Sequence, residues 1–145
     1  MVNQRLASSL GYAGLLPFLA GAGGVWVLRD YPHAFAQQGF LLYSLAILCF
    51  LAGTLWGSAP QVALGERTPR ILVSNGVVIF AVLAYLTAQP VLAALLLLLG
   101  HLTQLWYERN TLPADWYRRL RTRLTLVAGA CHLVYLAGLI VVRPV

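Results

Sequence analysis

Residues 71–107 constrain this chain more than any other feature: the stretch is apolar nearly throughout, is broken only at Gln89-Pro90, and is too long for one membrane crossing. A spanning helix takes about 20 mostly apolar residues. Pro90 has no backbone N–H with which to continue a helix, so it marks a tight turn between two antiparallel crossings. Three more apolar runs complete the pattern. The expected spans are residues 6–28, 39–59, 71–88, 91–107 and 116–142, giving an all-α bundle of five transmembrane helices in one membrane domain over 1–145.

Composition agrees. Apolar residues make up 60% of the chain and charged residues 10%, whereas a soluble domain carries about 25% charged residues. A soluble chain of this size could not hide so much apolar surface, because small domains bury the smallest share of their area. The N-terminus has one alternative reading: Arg5, an apolar stretch and then Gly21-Ala22-Gly23 have the layout of a secretory signal. The apolar run continues to Leu28, long enough to span, so the first helix is expected to be retained.

The net charge is +6, and all ten basic residues are arginine. With five crossings, Arg5, Arg67, Arg70, Arg109, Arg118, Arg119, Arg121 and Arg123 fall on one side, and Arg29 and Arg143 on the other. That bias places the N-terminus in the cytoplasm and the C-terminus outside. Four crossings would put Arg5 and the last arginine cluster on opposite sides. Most arginines sit in gaps between apolar runs and not along one soluble face, which argues against nucleic acid as a partner. Trp26, Tyr31, Trp56, Tyr85, Trp106, Tyr107, Trp116 and Tyr117 lie near the ends of the expected spans, as an aromatic belt requires. Ahead of the last span, Asp115 is placed to cap a helix. Arg118, Arg119, Arg121 and Arg123 are placed to meet anionic lipid headgroups, or simply to set topology.

Small residues spaced for close helix contact mark packing faces in lipid. Gly11 and Gly14 in the first span and Gly53 and Gly57 in the second read as packing positions, with a partner interface as the alternative. Polar residues inside spans must pair or serve a function. His101, His132, Gln104 and Asn75 are the candidates for a ligand site. No carboxylate lies inside an expected span, which disfavours an ion-coupled pump. His101 and His132 lie on adjacent antiparallel helices, an arrangement suited to haem. Their depths differ by several ångströms at about 1.5 Å of rise per residue, so hydrogen bonding between helices is the plainer reading. His101, Gln104 and Asn75 could instead line a polar pocket for a quinone headgroup. Cys49 and Cys131 form no CxxC pair, and there is no zinc spacing, GxSxG, P-loop or pair of catalytic carboxylates. No catalytic residue, metal or obligatory cofactor is therefore assigned, and haem or quinone stays a possibility.

Leu10-Gly-Tyr-Ala-Gly-Leu-Leu-Pro-Phe18, Tyr43 to Phe50 with Leu51-Ala-Gly-Thr-Leu-Trp-Gly57, and Asp115-Trp-Tyr-Arg-Arg-Leu-Arg-Thr-Arg-Leu-Thr125 resemble the domain of unknown function 3429 family. That family includes bacterial inner-membrane proteins and the mitochondrial transmembrane protein 69. The likeness runs from about Leu10 to Leu139, and Gly-Leu-Leu-Pro-Phe and Leu-Trp-Gly are its most specific blocks. Ala52-Gly53-Thr54 departs from the Gly-Gly pair expected there. The resemblance implies a five-helix bundle in an energy-transducing membrane and no particular reaction.

Three functions follow as expectations. The leading one is a non-enzymatic, multi-pass protein of a bacterial cytoplasmic membrane, an accessory, assembly or binding subunit that joins other membrane subunits or copies of itself. The second is a redox-associated protein binding quinone, lipid or haem. The third is a small oligomeric carrier or channel.

Overall fold

The computed structural model describes residues 3–142. Its helices are α1 (Gln4–Ala13), α2 (Leu16–Val27), α3 (Asp30–Ser58), α4 (Leu64–Leu86), α5 (Pro90–Thr111) and α6 (Asp115–Val141), with a 3-10 turn at Ala59–Gln61 after α3. There is no strand among the described residues. α1 and α2 together count as one segment, and five segments in all are long and apolar enough to span a membrane.

The first crossing breaks where the sequence carries Gly14-Leu-Leu-Pro17. Proline near the start of α2 has no N–H to give to the preceding turn. The chain tightens there, with Leu15 N donating to Tyr12 O at 3.0 Å. Tyr43 of α3 donates its hydroxyl to Gly14 O at 2.7 Å. The break is thus held from across the bundle.

Several helices outrun their apolar cores. α3 begins at Asp30 and not at residue 39, α4 at Leu64 and not at residue 71, and α5 continues to Thr111 past residue 107. Backbone hydrogen bonding does not stop where hydropathy does, and polar turns can project beyond the apolar layer. The extension of α5 matters most, because it makes Glu108 part of a helix. At the other end of the bundle the turns are short and held by left-handed residues, Asp30 with φ 55° and Ala88 with φ 56°.

α3 contacts α2, α4 and α5, and α6 packs on α2 and α5. The core holds Phe18, Phe40, Leu48, Leu97 and Tyr135 among many alanines. Leucine, isoleucine and phenylalanine residues such as Leu42, Phe50, Ile79, Leu99, Leu133 and Ile140 point outward. Such an apolar outer surface suits lipid and would be a liability in water.

Glycines set the closest approaches. A Cβ at Gly11 would lie 2.8 Å from Leu124 Cδ1, at Gly24 2.8 Å from Ala36 Cβ, at Gly100 2.6 Å from Leu48 Cδ2, and at Gly138 2.8 Å from Val25 Cγ2. Gly14 sits in the helix break, where an added Cβ would be 3.6 Å from the Tyr43 hydroxyl. Gly53 and Gly57 correct the expectation of packing within the chain. A Cβ at either would meet nothing within 4 Å, so this face looks outward.

Candidate functional site

Ser44, His101 and His132 meet in the middle of the bundle, from α3, α5 and α6. Ser44 Oγ is 3.1 Å from His101 Nε2 and 2.7 Å from His132 Nε2. His132 Nδ1 lies 2.7 Å from Ala128 O. A carbonyl only accepts, so His132 Nδ1 carries a proton and, in the neutral ring, Nε2 accepts from the Ser44 hydroxyl. Ser44 Oγ can then accept from His101 Nε2–H. This ordering leaves His101 Nδ1 as an acceptor, with no protein hydrogen bond among the described residues.

The two imidazoles come together as interhelical hydrogen-bond partners, joined by a serine between them. Their ring centroids are 5.4 Å apart. Phe18 packs on both rings, at 6.1 Å from His101 and 5.6 Å from His132. Phe40 adds a contact to His132 at 4.9 Å. With Ser44 bridging the Nε2 atoms and phenylalanines against the rings, a porphyrin has no slot. These residues do not fit haem. No cluster of three or more metal-ligating side chains occurs among the described residues.

A second buried group lies toward the arginine-rich end. Arg121 Nε donates to Glu108 Oε2 at 2.6 Å. Gln104 Nε2 donates to Glu108 Oε1 at 2.8 Å and approaches Leu51 O at 3.2 Å. Glu108 and Arg121 are both buried, at 2% and 4% exposure. A charge alone in such a place is unfavourable by several kcal/mol, so each requires the other. Arg121 therefore points into the bundle, away from the headgroups expected for it. Arg118, Arg119 and Arg123 instead line an open groove with Arg109, Asp115 and Thr122. Asp115 does not cap α6: Ala114 holds the cap position, and the carboxylate pairs with Arg118.

Between these two groups lies a cavity of about 400 Å³, bounded by α1 and α2, α3, α5 and α6. Its walls are mostly apolar, with Leu10, Gly11, Leu15, Phe18, Ile47, Phe50 and Leu124 among them. α1 itself has no buried residue, and with its break from α2 it covers the cavity without filling it. Leu10 and Phe50 are exposed at 63% and 69%, so the cavity reaches the outer apolar surface. His101, Arg121, Thr125 and Tyr117 supply the polar part of the lining. Arg121 Nη2 and Thr125 Oγ1 are buried without a hydrogen-bond partner among the described residues. Orphan donors of this kind are unfavourable by about 1–3 kcal/mol each, and a ligand oxygen would relieve that cost.

Of the four candidate ligand residues, His101 lines the cavity, His132 supports it from behind through Ser44, and Gln104 holds Glu108. Asn75 is exposed on α4 and makes no hydrogen bond with the others. Ser44 and Thr125 complete the site as polar residues inside spans that the sequence did not mark as ligand candidates, and Glu108 as a residue just past the expected fourth span. The signal for Glu108 is its place one turn after Gln104, and for Thr125 its place one turn after Arg121 on the face that carries His132.

No curated protein and no solved structure matches the chain. The profile of the family described as "Protein of unknown function (DUF3429)" matches residues 3–137, nearly the whole length, and the chain belongs to that family.

Proposed function

We propose that this multi-pass protein binds an amphipathic ligand of the quinone or lipid class within the membrane. The apolar part of the ligand lies along α1, α2 and α3, and its polar head meets Arg121 and Thr125. The observation that carries this reading is the pair of unpartnered buried donors on residues that line an otherwise apolar cavity reaching the exposed apolar surface. The proposed setting is a bacterial cytoplasmic membrane with the N-terminus inside, supported by the arginine asymmetry. Native mass spectrometry from mild detergent tests the reading. One small amphiphile should remain bound to the native chain and be depleted in Thr125→Val. A native chain that carries no small molecule, even when the micelles are supplied with quinone and lipid extract, overturns it.

A role as an accessory subunit of a larger complex is favoured by a different observation, the outward-open Gly53 and Gly57 on α3. Close helix association in lipid uses such small-residue faces. Affinity purification should then return a second membrane polypeptide, lost when Gly53 and Gly57 are both replaced by leucine. The third role, carrier or channel, would need several copies to line an aqueous path.

A further inference from the structure

The cavity is lined by three polar side chains of different character. Arg121 Nη2 can only donate, and the Thr125 hydroxyl can donate. His101 Nδ1 is held as an acceptor, because its Nε2–H is committed to Ser44, whose own proton is committed to His132 at 2.7 Å. The chain ends on the Ala128 carbonyl, so neither proton can reverse without breaking a buried hydrogen bond. Glu108 neutralises Arg121 at 2.6 Å, which leaves the site without a net charge to draw in an anion. The antiparallel pairing of Glu108 with Arg121 puts Gln104 and Thr125 at similar depth, each one turn inward. His101 lies one shorter turn beyond Gln104, about 4.5 Å at 1.5 Å of rise per residue.

We infer that the cavity selects an uncharged head that both donates and accepts, a hydroxyl of the phenol or quinol class, over the oxidised quinone, which only accepts. The inference rests on the ligand-binding reading above and specifies it. One hydroxyl of the reduced ring donates to His101 Nδ1, and the oxygen on the far side of the ring accepts from Thr125 and Arg121. The oxidised ring keeps the second set of bonds and faces His101 with an unmatched pair of acceptors. Ser44 is a positioning residue here: it acts on the ligand through the His101 tautomer.

The test uses the full chain in mild detergent and a short-chain benzoquinol and its benzoquinone, with the same ring and tail. Bound and free chain are counted by native mass spectrometry, anaerobically for the reduced probe. The quinol should bind at least tenfold more tightly. Thr125→Val should weaken both forms alike and keep their ratio. Ser44→Ala frees His101 to carry its proton on Nδ1, so the ratio should fall toward one while the quinone still binds. Equal binding of the two forms by the native chain, or tighter binding of the quinone, overturns the inference and leaves the ligand-binding reading standing. A native chain that binds neither form overturns both. The native ratio decides even if Ser44→Ala fails to fold.

Discussion

The two ends of the bundle solve the same packing problem by different means. At the arginine-poor end, α2, α3 and α6 approach backbone to backbone. Gly24 sits against Ala36 and Gly138 against Val25, and Trp26 Nε1 donates to Val134 O at 2.9 Å. At the arginine-rich end the helices are joined by buried polar groups. Arg121 meets Glu108, and buried Arg70 donates to Ser58 Oγ at 2.9 Å and to Thr111 O at 3.4 Å. Close packing of this kind brings few polar groups into the bundle. Charged pairing holds helices in register but needs several partners per side chain, and here it leaves donors over. The cavity lies toward the end with donors to spare.

This contrast can be broken most decisively at Glu108. Glu108→Gln leaves Arg121 as an uncompensated buried charge, and thermal unfolding in detergent should show a loss of about 3–5 kcal/mol. A near-wild-type melting temperature would mean that the pair does not hold the arginine-rich end. Gly138→Ala tests the opposite end. Its Cβ would be 2.9 Å from Trp26 Nε1, and overpacking should destabilise by about 1–3 kcal/mol. Ser44→Ala removes the bridge between the histidines, with an expected loss of about 1–3 kcal/mol from the buried nitrogens left unmatched. Arg119→Gln and Arg123→Gln should each weaken retention of anionic lipid by about 1 kcal/mol, read from lipid adducts in native mass spectra. Smallest of all, Gly53→Ala should leave the stability of the isolated chain within about 0.5 kcal/mol, because its face is open. A larger loss would place α3 against a neighbour within the chain.

Much of the architecture was legible beforehand. Residues 71–107 with Pro90 demanded a helical hairpin, and the five-span reading matches the five helices found, because lipid tolerates few ways to satisfy a backbone. Helix ends were less legible, since hydropathy marks the apolar layer and not the last hydrogen bond. That gap hid Glu108, which reads as a loop residue when the fourth span stops at residue 107. The glycine pattern misled for a related reason. Gly53-Thr-Leu-Trp-Gly57 has the spacing of a contact face, but spacing cannot tell which way a face turns. His101 and His132 were conspicuous as intramembrane histidines, whereas their dependence on Ser44 was not, because three helices must be assembled before one hydroxyl can reach two rings.

By itself, then, the sequence determined the number of helices long and apolar enough to span, the outward apolar surface and the arginine bias. These are set by the solvent around each residue and can be read one segment at a time. Only the tertiary structure decided that Arg121 turns inward to Glu108, that Ser44 joins the histidines, that Asn75 stands apart, and that Thr125 and Arg121 keep donors free beside a cavity. Those features depend on the rotation and depth of each helix relative to its neighbours, and no single segment encodes either.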